Sequence, residues 1–152
     1  MSILPTKPSA PRGSRCVFCS LATTRTAASP SFELLVSAAQ RLPAPAHSHD
    51  HYEETIYGID GVLTWTVGGK QIDVGPGQVL CIPRGAVHRF DNNGSKDVKA
   101  LCVITPAEIG PAYFREAFAL LNAAAGGPPD RAKMAEVMRR HGLTPAAPST
   151  SA

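Results

Sequence analysis

No run of this chain approaches the roughly 18 consecutive apolar residues of a membrane-spanning helix. Its start, Met1-Ser2-Ile3-Leu4-Pro5, has no secretory apolar core behind it either. Neither a membrane-embedded nor an exported protein is expected. Excess charge is also small, a net +3 over 152 residues, and it sits at one end. Residues 1–30 hold Lys7, Arg12, Arg15 and Arg25 and no acid, so the remainder is close to neutral. A nucleic-acid partner is therefore not expected. The same segment is rich in Pro, Ser and Thr and reads as a disordered or loosely ordered extension. Pro5, Pro8 and Pro11 break the amphipathic helix that an organelle transit peptide would need. Cys16 and Cys19 form a Cys-x-x-Cys pair, but the second pair that such a zinc site requires is missing. Two reduced thiols are the expectation there. Cys81 and Cys102 lie in apolar runs and are expected to be buried thiols. This usage fits a reducing cytoplasm.

What is present suits one soluble globular domain. The apolar fraction is 43% and the charged fraction 18%, and the length can bury a core without staples. Residues 31–106 read as short strands broken by turn residues. Strands are expected at Phe32–Ser37, Glu54–Ile59, Val62–Val67, Lys70–Val74, Gln78–Ile82, Val87–Asp91 and Val98–Ile104. Gly68-Gly69 is a two-residue hairpin turn, Gly75-Pro76-Gly77 turns the chain again, and Pro83-Arg84-Gly85 is a rigid corner. Many short strands at regular spacing imply an all-β sandwich or barrel. Over residues 107–145 the period changes. Phe114, Phe118 and Leu121 fall on one helix face after Pro111. A second helix follows Asp130 as its cap, with Met134, Val137, Met138 and His141 on one stripe and Gly142 beyond its end. Two short C-terminal helices packed on the barrel, or on a partner subunit, are expected.

Three imidazoles and a carboxylate carry the chemistry. His47 and His49 are two apart, so on an extended strand both project from one face. His88 must arrive from a neighbouring strand. Glu54 has the wrong parity relative to His49, so a turn or bulge within Asp50–Glu53 must reset the phase, and Glu53 competes for the role. Such a set suits one divalent transition metal. His51 is a spare imidazole expected in solvent, His141 is expected to be structural, and Tyr52, Glu53 and His51 are expected near the mouth.

At these residues the chain resembles the cupin superfamily. The first motif of that family runs through His-x-His and Glu to Gly, here His47-Ser48-His49, Glu54 and Gly61, with six residues between the last two. The second runs from Gly through Pro-x-Gly and His to Asn, here Gly77, Pro83-Arg84-Gly85, His88 and Asn92. Arg41 stands where the family often has a Gly. The resemblance implies a cupin jelly-roll β-barrel, with His47, His49, Glu54 and His88 as metal ligands. It selects Glu54 over Glu53, because only Glu54 has the motif's spacing to Gly61. It also suggests a homodimer.

Four protein ligands leave up to two positions open on an octahedral ion. Fe(II) there could bind dioxygen, while Zn, Mn or Ni would act as a Lewis acid. Strand parity nominates Ile56, Gly58, Trp65 and Phe90 as pocket walls. A largely apolar pocket over a metal suits a small aromatic or diketone-like substrate. The favoured reading is a metal-dependent oxygenase similar to the quercetinase-like cupins. The alternative is a non-catalytic module that binds a metal or small ligand, and a closed structural zinc site comes third.

Overall fold

A computed structural model describes residues 18–20, 31–42, 44–124 and 127–147. Its strands are β1 (Phe18–Ser20), β2 (Ser31–Val36), β3 (His47–His49), β4 (Glu53–Asp60), β5 (Leu63–Val67), β6 (Lys70–Val74), β7 (Val79–Ile82), β8 (His88–Asp91) and β9 (Val98–Thr105). Helices α1 (Pro111–Ala123) and α2 (Arg131–Arg140) follow, then strand β10 (Leu143–Pro145). The strands form two antiparallel five-stranded sheets, ordered β1-β2-β9-β4-β7 and β10-β3-β8-β5-β6. This is the two-sheet, mostly β arrangement with two short helices that the spacing predicts. No helix among the described residues is long and apolar enough to cross a membrane.

The expected alternation is visible where one face of a sheet meets the other. In β9, Val98, Ala100, Cys102 and Ile104 are buried while Lys99, Leu101 and Val103 face outward. β2 repeats this with Phe32, Leu34 and Val36. Gly68 and Gly69, with φ of 54° and 81°, make the β5–β6 hairpin turn whose two positive φ values favour glycine. Asn92 is 1% exposed. Its Nδ2 reaches the carbonyl oxygens of Val36, Ser37 and Lys96 at 3.1, 3.0 and 2.8 Å, tying the end of β8 to the end of β2. Both helix ends follow their sequence signals. Pro111 opens α1, and the Asp130 carboxylate accepts from the Ala132 and Lys133 amides at 3.0 and 3.1 Å.

Two short strands join those expected from the sequence, and one expectation needs correction. Within residues 1–30 the described part is β1, which pairs with β2 through Cys19↔Leu34. The rest of that stretch, Cys16 included, lies outside the described residues. After α2, β10 pairs with β3 through Leu143↔His49 and Pro145↔His47. Cys81 is exposed rather than buried. It lies on edge strand β7 opposite Thr55, on the outward face, so an apolar run there need not mean burial on both faces. Cys102, on central strand β9, is buried as expected.

Candidate metal centre

The three histidines share one sheet. β3 carries His47 and His49, and β8, its neighbour, brings His88 directly opposite His47. Glu54 comes from the facing sheet, where β4 runs between β9 and β7. The parity problem is thus solved without a bulge. Between His49 and Glu53 the chain leaves one sheet and joins the other, so the inward face is set anew. Glu54 is buried, whereas Glu53 is exposed with its Oε1 3.6 Å from Arg84 Nε. Of the two acids, Glu54 is the one that faces the histidines.

One donor atom from each of His47, His49 and His88 lies within 4.8 Å of the others. That spacing is of the order required, since nitrogens bound to a common ion at about 2.1 Å lie up to about 4.2 Å apart. Ring centroids are 5.3 Å apart for His47 and His49, 4.7 Å for His47 and His88, and 4.6 Å for His49 and His88. Glu54 stands beside this triad, its Oε2 3.4 Å from His88 Nε2 and 4.0 Å from His49 Nε2.

The backbone orients two of the rings. His47 Nδ1 is 3.1 Å from the Pro45 carbonyl oxygen, and His88 Nδ1 is 2.9 Å from that of Ala86. A carbonyl only accepts, so Nδ1 carries the proton on both rings and the neutral ring presents the Nε2 lone pair. This is how metal-ligating histidines are commonly held. Tyr52, fully buried, stacks on His49 with centroids 4.4 Å apart, and its hydroxyl donates to the His141 carbonyl oxygen at 3.4 Å. The ring of His49 is therefore wedged between Tyr52 and the triad.

Electrostatics favour lone pairs over protons. Burial lowers His47 to about 3, helped by the fields of His88 and His49. Burial likewise lowers His49 to about 4, against the opposing pull of Glu54. Burial pushes Glu54 upward, but its contacts with His88, His49 and His47 prevail and hold it below the usual carboxylate range. At neutral pH His47 and His49 are thus neutral imidazoles and Glu54 a carboxylate, the states that bind metal. His88 Nε2 and His49 Nδ1 are buried without a hydrogen-bond partner. A buried orphan costs on the order of 1–3 kcal/mol, and a cation on His88 Nε2 would remove one of them. The residues present fit a divalent transition ion.

The cluster opens onto a cavity of about 120 Å³. Trp65 and Phe90 line it, as strand parity suggests, with ring centroids 5.1 Å apart. Ile56 and Gly58 do not. Ile56 is wholly buried in the core. Gly58 lies where a Cβ would overlap the Gly75 carbonyl oxygen, so it permits backbone contact and forms no wall. His51 and Glu53 are exposed. Tyr52 supports His49 from behind and is not among the cavity's lining residues, and burial raises its hydroxyl far above the ordinary tyrosine range. His141 is structural in the sense expected: its Nε2 is 3.1 Å from Glu116 Oε1, linking α2 to α1. The helices pack on the barrel, one of the two placements expected, and α1 reaches the cavity itself. Phe114, Phe118 and Leu121 line it, and the sequence signal was their shared helix face.

Comparison with known proteins agrees with this geometry. A family model described as a cupin domain matches residues 35–104. Quercetin 2,3-dioxygenase of Bacillus subtilis (strain 168) is 35% identical over 57 residues, 36% of this chain. The chain spans only 17% of that enzyme's length. Among solved structures, the TT1209 protein of Thermus thermophilus aligns with a TM-score of 0.55 at 18% identity, covering 64% of this chain and 90% of its own. A cupin protein of Bacteroides fragilis gives 0.54 at 17%, covering 67% and 87%. The Cnp3 cupin domain of Schizosaccharomyces pombe gives 0.53 at 15%, covering 72% and 70%. At these identities the likeness is one of fold.

Proposed function

Residues 35–104 being a cupin domain, we propose that the chain is a metal-dependent enzyme of dioxygenase type acting on a small organic molecule inside the barrel. The observation that carries this reading is the convergence of three imidazoles and one carboxylate at the base of an otherwise apolar cavity. His47, His49, Glu54 and His88 would hold one ion of Fe, Mn, Ni or Zn. When bound, the ion supplies Lewis acidity or, if redox-active, electron transfer toward dioxygen. The chain's own residues do the rest. The Pro45 and Ala86 carbonyls fix two imidazoles in their ligating tautomer. Tyr52 holds the third, and the aromatic and aliphatic walls exclude water. Support for the oxygenase type comes from the short stretch shared with the quercetin dioxygenase.

One observation favours a non-catalytic ligand-binding module instead. Besides the four proposed ligands, the only ionisable group among the described residues lining the cavity is Tyr113, whose hydroxyl burial pushes well above the ordinary tyrosine range. Among the described residues no free general base is at hand. Oxygen uptake by iron-loaded protein, measured with a panel of enolisable diketones and catechols, separates the two readings. Metal-dependent uptake with at least one substrate is expected. Tight binding across the panel with no uptake would move the assignment to the module.

We propose further that the protein is cytoplasmic and works as a homodimer. Tyr57 and Val79 are cross-strand neighbours, 44% and 59% exposed on the outer face of the first sheet. That apolar pair suits burial against a second copy. Sedimentation velocity at micromolar concentration is expected to show a dimer; a monomer contradicts it.

A further inference from the structure

We infer that α1 is the specificity element of this site, restricting its ligand to a single-ring-sized, largely apolar molecule with a chelating oxygen pair at one end. The inference rests on the metal-site reading and goes beyond it, because it concerns the roof of the cavity rather than its base. Ile109, Tyr113, Phe114, Ala117, Phe118 and Leu121 all line the cavity, and all lie beyond the segment that matches the cupin family model. The shape of the upper cavity is therefore a property of this chain's own C-terminal helices.

Size comes first. The cavity holds about 120 Å³. An apolar cavity of roughly 150 Å³ accepts benzene, so one ring or its equivalent fills this one. A three-ring flavonol carries two rings too many. Polarity comes second. Apart from the four proposed ligands, the described lining residues are apolar or aromatic, and Trp65 and Tyr113 alone among them bear polar groups. Among the described residues it contains no lysine or arginine to neutralise a phosphate, and no amide or small hydroxyl to satisfy a polyol. Each sugar hydroxyl or phosphate oxygen buried there unpaired would cost on the order of 1–3 kcal/mol or more. A divalent ion with one carboxylate keeps a net charge of about +1, which a monoanionic enolate or catecholate neutralises.

Rigidity comes third. The Phe114 ring meets Phe32 of β2 edge-on at 4.9 Å. On the other side, Glu116 accepts from Arg140 at 2.6 Å and pairs with His141 at 3.1 Å. The roof is fastened to a sheet and to α2. A larger ligand must displace packed aromatic contacts to enter.

The test uses the full chain loaded with Co(II), whose visible spectrum reports changes in its ligands. It is titrated with catechol, quercetin and glucose 6-phosphate. Catechol is expected to shift the spectrum of the wild type and to bind at least about tenfold more tightly than quercetin, a difference of about 1.4 kcal/mol. Glucose 6-phosphate is expected to leave it unchanged. Phe118→Ala removes a partly exposed side chain from the roof and is expected to narrow or abolish the preference against quercetin. Ala117→Leu fills the cavity and is expected to weaken catechol binding while the ligand-free Co(II) spectrum stays as in wild type. Quercetin binding as tightly as catechol to the wild type, or a preference untouched by both variants, overturns the inference while leaving the metal site standing. Failure of the wild type to bind Co(II) at all overturns the metal reading and this inference together.

Discussion

Metal content of a His88→Ala variant is expected to fall to background while the chain stays folded. His88 is 2% exposed and contacts every other member of the site. Its ring lies 4.7 Å from His47 and 4.6 Å from His49, and its Nε2 is 3.4 Å from Glu54 Oε2. Losing only an outer-shell partner of a ligand commonly costs 10–100-fold in affinity, so losing the ligand itself should cost more than about 100-fold. The strands do not depend on this side chain, because β8 keeps its backbone pairing with β5 from Thr64↔Asp91 to Val67↔His88. Far-ultraviolet circular dichroism should stay β-rich. If the alanine variant aggregates, His88→Gln keeps a polar side chain of similar size without an imidazole donor and should lose the metal likewise. Wild-type metal content in a folded variant contradicts the ligand assignment.

Metal-free protein is expected to lose several kcal/mol of stability between pH 6.5 and pH 4. In the unfolded chain a histidine titrates near 6.5, whereas burial lowers His47 to about 3 and His49 to about 4 in the fold. Above pH 6.5 both states are neutral and these groups have no effect. Below it the unfolded chain takes up protons that the folded one refuses, so stability falls as pH falls, until each group's folded value is reached. Each imidazole contributes a slope of up to about 1.4 kcal/mol per pH unit. Two together approach the whole stability of an ordinary domain. Glu54 works in the same direction at lower pH, since its folded value lies below the ordinary carboxylate range. Urea denaturation of chelator-treated protein at several pH values measures this directly. A midpoint that does not move between pH 6.5 and pH 4 contradicts the burial of these imidazoles.

Much of the fold was legible because local signals and tertiary structure agree. β6 was expected at Lys70–Val74 and is found there. Pro111 and Asp130 mark the helix starts as they do in the sequence. Legibility ended where information is tertiary. Parity along one strand cannot reveal that β3 and β4 belong to different sheets, which is what brings Glu54 to face the histidines. It also cannot tell depth: Ile56 shares the inward face of β4 with Glu54, but ends in the core away from the cavity. Gly58 was read as a wall, but the backbone at Gly75 crosses it at contact distance. β1 and β10 are each three residues long, too short for any period to show. The stripe of Phe114, Phe118 and Leu121 announced a helix without saying that its apolar face would close the site.

Everything chemical here depends on those four side chains sharing one ion. The most direct measurement is elemental analysis of the full-length chain purified without added metal, repeated after incubation with Fe(II), Mn(II), Ni(II) or Zn(II) and desalting. About one equivalent of a divalent transition metal per chain is predicted, as purified or after loading. A folded protein that holds none of these ions under either condition contradicts the account.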